Sequence, residues 1–292
     1  MGVAAGDRCG QGVDTVTAAL SAQLRLTDDQ LRVVASRVGV HDLPTVLASR
    51  PRHASIDRRE AAFDRAAREL VSRNLIVEGA VHPELVALLQ ALQRPDRELA
   101  MRLATPEGAA RISVVRRGTW CVLSRRIGDD ILLGVIGHGV ELQDVASALL
   151  AELPRAQPAD VQPVTAPLQE MAESLSGTHD AAELADRIRA LGAEPRAGML
   201  LGSALASRQA FVEIVYYALA DAEDRICRGP GAVAVFYTKR GRIIAAPSAS
   251  PTGQLWTTLK AGTDHAFGQT IGQLIELAGQ SWATSGGECT LT

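Results

Sequence analysis

Residues 232–259 read AVAVFYTKRGRIIAAPSASPTGQLWTTL, which is three alternating apolar runs separated by a basic-glycine turn and a Pro-Thr-Gly turn. Residues 111–136 repeat this arrangement with the sequence RISVVRRGTWCVLSRRIGDDILLGVI. An amphipathic segment follows each copy, and its spacing predicts a helix over 142–153 and over 264–278. Because such short turns join antiparallel neighbours, the chain predicts an internally duplicated, quasi-two-fold α+β fold with an antiparallel central sheet flanked by helical bundles.

Two further strands are predicted outside the repeats. Residues 211–217, FVEIVYY, give the strongest β signal in the chain because β-branched and aromatic residues dominate them. Residues 97–103 alternate leucine and methionine with charged residues, which is typical of a half-buried strand. Apolar stripes predict helices over 168–175, 181–191 and 194–207. We therefore expect the second half to open with helices and to continue as a meander of four strands.

The positions of the proline and glycine residues predict the domain organisation. Residues 154–167 contain four prolines and predict a linker between two α+β halves, residues 14–153 and residues 168–282. The glycine-rich residues 1–13 predict a disordered lead-in, and residues 283–292 predict a flexible tail.

Composition excludes several classes of protein. The 292 residues are 47% hydrophobic and 22% charged, as in ordinary globular proteins, and the net charge of -3 argues against a nucleic-acid partner. Four cysteines without a CxxC pair argue against a zinc site and favour a reducing compartment. No apolar stretch reaches eighteen residues, so membrane insertion is not expected and the chain is predicted to be cytoplasmic.

A search for catalytic motifs predicts no catalytic residue, no cofactor site and no metal site. The glycines of residues 228–231 precede a strand, whereas a phosphate-binding loop follows one. The histidines lack the paired spacing of metal ligands. His179 lies ahead of a predicted helix, where Thr178 or Asp180 would serve as the cap. We therefore predict a protein that is not an enzyme.

One face of the strand over 211–217 mixes charge with apolar groups. Glu213 shares that face with Phe211 and Val215. The face is then either exposed to solvent or available for a partner. Trp256 has two similar interpretations, because it could fill the core or anchor a bound helix.

Five fragments together resemble a known family. They are VVRRGTW at 114–120, RPDREL at 94–99, FVEIV at 211–215, GRI at 241–243 and QSW at 280–282. In this order they resemble the EspG family, whose members are cytosolic chaperones of type VII (ESX) secretion in mycobacteria and related actinobacteria. The resemblance extends from about Val16 to Trp282.

The resemblance implies a two-lobed α+β chaperone that binds the hydrophobic helical tip of a PPE protein within a PE-PPE heterodimer and keeps it soluble and export-competent. It implies that the free protein is a monomer or weak dimer. The contact regions would be the loop at 104–109, the strand at 211–215 and the helices of 168–207. The expected partner-binding residues are Leu103, Thr105, Glu107, Met199, Phe211, Glu213, Val215 and Trp256.

Two other functions are considered. A hydrolase would use His138 or His179 with a distant carboxylate, and it should show a concave pocket in which the histidine and an acid converge. A structural accessory of the secretion machinery would instead associate with its membrane-bound components. The chaperone hypothesis requires an apolar face that the chain's own side chains leave uncovered.

Overall fold

The structure of this chain is a computed structural model that describes residues 23–48, 53–220 and 225–283. The predicted lead-in and all but the first residue of the predicted tail lie outside the described residues. The chain forms two compact units. Among the described residues, unit 1 comprises 23–48, 53–96 and 115–138, and unit 2 comprises 97–114, 139–220 and 225–283.

The described helices and strands are as follows. The helices are α1 (Asp28–Val38), α2 (Ile56–Ser72), α3 (Pro83–Gln93), α4 (Leu142–Ala151), α5 (Leu168–Leu175), α6 (Ala181–Ala190), α7 (Pro195–Ala206) and α8 (Asp264–Leu277). The strands are β1 (Leu24–Thr27), β2 (Ile76–Val77), β3 (Ala80–Val81), β4 (Arg97–Thr105), β5 (Gly108–Arg117), β6 (Trp120–Ile127), β7 (Asp130–His138), β8 (Val164–Pro167), β9 (Arg208–Ala220), β10 (Arg225–Thr238), β11 (Gly241–Ala249) and β12 (Leu255–Ala261).

Both predicted repeats are confirmed. The first copy is β5, β6, β7 and α4, and the second is β10, β11, β12 and α8. A short strand followed by a helix also accompanies each copy, because β1 pairs antiparallel with β7 and β8 pairs antiparallel with β12. The repeated unit is therefore larger than the sequence pattern predicts. Ten of the described strands belong to one sheet, as expected for this α+β fold.

In unit 1 the strand order is β1, β7, β6. Helix α1 begins at a capping box in which the Thr27 hydroxyl accepts from the Gln30 amide, while the Gln30 side chain accepts from the Thr27 amide. These two bonds satisfy amide donors that the first helical turn leaves open. The helix ends at Gly39, whose φ of 73° is the left-handed conformation that glycine adopts without strain.

In unit 2 the strand order is β5, β4, β9, β10, β11, β12, β8. Strand β4 pairs antiparallel with β9 from Arg97 opposite Ala218 to Ala104 opposite Phe211. This pairing places residues 97–114 in unit 2, whereas the sequence pattern assigns them to the N-terminal half. Residues 154–167, predicted as a linker, contain β8. Only three residues separate Pro163 from Pro167, too few for an alternating pattern to indicate a strand.

Helices cover the two faces of the unit 2 sheet to different extents. Helices α5, α6 and α7 lie over one face, where they form a core with β8, β10, β11 and β12. A Cβ at Gly202 of α7 would come within 2.6 Å of the Ala185 backbone, so glycine permits the close approach of α6 and α7. Helix α8 lies on the other face, where a Cβ at Gly231 would meet Leu277 at 2.7 Å. No helix within the described ranges is long and apolar enough to cross a membrane.

Candidate partner-binding groove

Unit 2 contains an open groove of about 540 Å³ between helix α5 and the sheet face that carries Phe211. Strands β9 to β12 form its floor, α5 forms one wall, and the turn between β4 and β5 closes one side. The floor residues are Ala210, Phe211, Glu213, Ala232, Ala234, Phe236, Ala245, Thr257 and Leu259. We refer to this feature as the unit 2 groove.

The floor of the groove is recessed because some of its side chains are small. Register places Ala234 of β10 between Glu213 of β9 and Ala245 of β11. Strand side chains alternate between the two faces, so Ala232 points to the same side as Ala234. Both alanines are partly exposed, whereas Val233 between them is fully buried on the opposite face. Alanine at these positions therefore leaves open space that a larger side chain would fill.

Helix α5 presents one apolar face to the groove. Leu168, Met171, Ala172 and Leu175 are spaced at i, i+3, i+4 and i+7, which places them on one side of the helix. Met171 is buried and belongs to the core under α5. The wall is therefore continuous with the core of unit 2.

Phe211 forms the aromatic rim of the groove. Its ring lies 5.3 Å from that of Phe236, with an interplanar angle of 49°. Phe211 is nevertheless 39% exposed, while Phe236 is buried. Contact with Phe236 fixes the position of the Phe211 ring and leaves part of its surface in water, as expected for a residue that contacts a partner.

Arg208 closes the polar end of the groove. Its guanidinium donates to the Leu175 carbonyl at 3.4 Å and the Thr178 carbonyl at 3.2 Å, and it lies 3.3 Å from His179 Nδ1. A cation at the C-terminus of a helix satisfies carbonyls that lack helical partners. Burial lowers the pKa of the Arg208 guanidinium. Arg208 thus holds the end of α5 against the first residue of β9.

The turn between β4 and β5 closes the groove beside Phe211. Thr105 and Pro106 line the groove, and the Thr105 hydroxyl donates to the Gly108 carbonyl at 3.3 Å. Glu107 is fully exposed at the tip of this turn, where a hydrogen bond from Thr105 lowers the pKa of its carboxyl group. The turn is therefore stabilised by its own hydrogen bonds.

The structure brings some of the expected partner-binding residues together and separates others. Thr105, Phe211 and Glu213 line the groove. Val215 lies on the same sheet face, two residues beyond Glu213. Four residues lie elsewhere: Leu103 and Trp256 point to the opposite face, Glu107 lies at the turn tip, and Met199 is 58% exposed on α7.

Sequence reasoning singled out neither the alanine floor nor the individual residues of α5. A signal was present for both. Ala232 and Ala234 alternate with valines, and the apolar residues of 168–175 recur at helical spacing. The alternation of alanine with valine indicates a strand that has small side chains on one face. The helical spacing indicates an apolar stripe along one side of a helix.

The histidines of the hydrolase alternative have other surroundings. The His138 ring makes an edge contact with Trp120 in unit 1, with centroids 4.7 Å apart. His179 lines the groove, where its Nδ1 atom lies within hydrogen-bond distance of the Arg208 guanidinium, which is a cation and not a carboxylate. Burial raises the pKa of Cys121 to about 12, which makes that thiol a poor nucleophile. Among the described residues no cluster of three potential metal ligands occurs.

Comparisons with known proteins converge on one family. The EspG family model matches residues 27–273. The chain is 27% identical to the ESX-1 secretion-associated protein EspG1 of Mycobacterium marinum, covering 92% of this chain and 91% of that protein. It is also 27% identical to the ESX-3 secretion-associated protein EspG3 of Mycolicibacterium smegmatis, covering 89% and 88%.

A solved structure has the same fold. It is the Mycobacterium tuberculosis type VII secretion system chaperone EspG5 in complex with a PE25-PPE41 dimer, with a TM-score of 0.74 at 18% identity. The match covers 88% of this chain and 96% of EspG5. The family model spans most of the chain, and the chain therefore belongs to the EspG family.

Proposed function

We propose that this protein is a cytosolic, substrate-specific chaperone of a type VII secretion system. It binds the hydrophobic helical tip of a PPE protein within a PE-PPE heterodimer and keeps the pair soluble and export-competent. It acts by binding and not by catalysis. The unit 2 groove is the observation that carries this proposal, and the related EspG5, solved with a PE25-PPE41 dimer, supports the choice of partner.

The dimensions of the groove suit the end of a helix. From Arg208 to Glu213 its floor follows β9 for about 17 Å at the usual rise of a strand. A helix rises about 5.4 Å per turn, so about three turns fit along this length. A helix of this length could bury its apolar stripe against the alanine floor and the face of α5. Removal of apolar surface from water contributes about 25 cal/mol per Å² to such a complex, and the loss of translational, rotational and side-chain freedom on association opposes it.

The shape of the groove also explains why a chaperone would be needed. An apolar helix tip exposed in water favours aggregation, and a matching groove removes it from solvent. Helix-in-groove recognition of this kind depends on apolar anchors at helical spacing. The partly exposed Phe211 and the space above Ala232 and Ala234 provide a rim and a recess for such anchors.

Filling the recess tests the proposal. Ala234→Leu places a bulky side chain in the groove, whereas Ala61→Leu adds the same side chain at an exposed position on α2 in unit 1. Calorimetry with purified PE-PPE heterodimers encoded beside this gene measures the Kd of each variant. We expect Ala234→Leu to weaken binding by about 5-fold to 150-fold, because overlap of this kind costs about 1–3 kcal/mol.

Ala61→Leu should bind as the unmodified protein does, and thermal unfolding of both variants checks that the fold is retained. Equal affinities for the two variants would contradict a role for the groove. A failure of every PE-PPE pair to form a soluble complex with the unmodified chain would contradict the proposed function itself. Light scattering of the free protein tests the accompanying prediction that it is a monomer or weak dimer.

A further inference from the structure

A charged array adjoins the unit 2 groove on the same sheet face. Arg102 of β4 is the direct register partner of Glu213 of β9, so their side chains lie on one side of the sheet. Arg228 of β10 reaches the same carboxylate, with Nη2 at 3.7 Å from Oε1. Glu213 itself lines the groove. We refer to Arg102, Glu213 and Arg228 as the arginine array.

The array carries a net positive charge. Two guanidinium groups flank one carboxylate, and the long contact to Arg228 already engages Glu213. Arg102 is exposed, and within the described part of the chain no carboxylate lies within ion-pair distance of it. Among the described residues, one positive charge therefore remains uncompensated beside a groove that apolar side chains line for the most part and Arg208 closes at its polar end.

We propose that the array selects partners whose apolar helix end carries an acidic side chain, and that Arg102 is the residue that recognises it. This inference rests on the proposed function, because it concerns the occupant of the same groove. The carboxylate would stand one helical turn from the apolar residues that enter the groove. Residues three or four apart lie on one helix face, so a single segment can present both groups.

An acidic occupant suits the array better than other side chains. A carboxylate can accept two parallel hydrogen bonds from the planar guanidinium of Arg102. A basic side chain would meet two like charges, which disfavours its binding. A neutral polar side chain could accept a hydrogen bond from the guanidinium but would lack the attraction between opposite charges. The apolar floor would set affinity, while the array would set which apolar helix end is accepted.

Charge reversal at Arg102 tests this inference. We compare Arg102→Glu with Arg65→Glu, an equal change at an exposed arginine of α2 in unit 1, outside the expected contact regions. Binding of a purified PE-PPE heterodimer is measured by calorimetry in about 0.1 M and about 1 M salt, where the screening lengths are about 10 Å and 3 Å. We expect Arg102→Glu to weaken binding about tenfold or more at low salt and much less at high salt.

Two further variants sharpen the result. Glu213→Gln removes the competing carboxylate and should tighten binding about threefold at low salt. Reversing the acidic residue of the PPE tip to arginine should restore binding to Arg102→Glu while weakening binding to the unmodified chain. Such reciprocal rescue is not expected from a general change in surface charge.

The outcomes separate the two proposals. If Arg102→Glu binds as the unmodified chain does while Ala234→Leu does not, the array has no selective role and the chaperone function stands. If Arg65→Glu weakens binding as much as Arg102→Glu, the effect is one of net charge and the inference is wrong. If the unmodified chain binds no PE-PPE pair, the proposed function fails first.

Discussion

Strands β9 and β10 have two faces that differ sharply in burial. One face is fully buried, and its residues are Val212, Ile214, Tyr216, Val233 and Val235. The other is partly exposed, and its residues are Phe211, Glu213, Val215, Ala232 and Ala234. Helix α8 covers the first face, whereas α5, α6 and α7 leave β9 on the second face uncovered.

The two faces of this one sheet can therefore have separate roles, one in folding and the other in binding. Large β-branched and aromatic side chains on the buried face supply the apolar burial that stabilises unit 2. Small or charged side chains on the open face contribute less burial and leave a recess. Substitutions on adjacent residues of one strand should therefore separate stability from partner binding.

The largest expected effect is on the buried face. Ile214→Ala removes a fully buried side chain and should lower the free energy of unfolding by about 2–5 kcal/mol. Val215→Ala on the neighbouring open position should cost less than about 1 kcal/mol, because its side chain already contacts water. Urea unfolding measures both. Equal losses would mean that the open face is covered in solution.

Truncation of the aromatic rim should affect binding more than stability. Phe211→Ala removes the partly exposed ring and should weaken PE-PPE binding by about 2 kcal/mol, or about thirtyfold. Its free energy of unfolding should change by less than about 1.5 kcal/mol. Calorimetry and urea unfolding of the same sample check the two values. A large loss of stability with unchanged affinity would reverse the assignment of the two faces.

A smaller effect is expected at the polar end of the groove. Arg208→Met retains a long apolar side chain but loses the hydrogen bonds to the end of α5. We expect a loss of about 1–2 kcal/mol in stability and a several-fold loss in affinity, since the wall of the groove would be less fixed. Arg65→Met on the surface of α2 in unit 1 is the control and should change neither value.

The smallest effect concerns Glu98, which is buried although its register partner Tyr217 lies on the open face. Ser113 donates to its carboxyl group at 2.6 Å, and burial raises the pKa of Glu98. In the folded state this group keeps its proton at a pH where the unfolded chain has released it. Stability should therefore fall as pH rises from about 4.3, the ordinary pKa of glutamate, through the raised value.

Glu98→Gln removes this titration and should leave the protein more stable than the unmodified chain at pH 7, with little difference at pH 4. The glutamine oxygen can still accept from Ser113. Thermal unfolding across this pH range measures the effect, and Glu170→Gln on the exposed face of α5 is the control. A destabilised Glu98→Gln variant at pH 7 would show that the ionised carboxylate is required.

Much of the fold could be predicted from the sequence because its signals are local. The turns at residues 117–119 and 239–241 contain glycine and join alternating runs, and both repeats follow from them. The helices over 168–207 agree with prediction to within one residue at each end. Strand β8 could not be predicted, since its four residues acquire strand geometry only by pairing with β12. The placement of β4 in unit 2 likewise depends on its pairing with β9, which is distant in sequence.

The candidate site could be predicted only in part. Alternation along 211–217 places Phe211 and Glu213 on one face, and both line the groove. Trp256 and Leu103 are large apolar residues that are expected to contact the partner, yet the register places them on the opposite face. The alternation of Ala232 and Ala234 with valines indicates one strand face with little side-chain volume, but only the register shows that Glu213 and Ala245 flank Ala234.

Site-specific photocrosslinking tests whether the PPE subunit contacts the unit 2 groove. Phe211 and Ile127 are both large, exposed apolar residues, 39% and 52% exposed, but only Phe211 lines the groove. Each is replaced in turn by p-benzoylphenylalanine, and the protein is irradiated with a PE-PPE heterodimer. We predict a covalent adduct with the PPE subunit from position 211 and none from position 127. An adduct from position 127 without one from position 211 would contradict binding of the PPE subunit in the unit 2 groove.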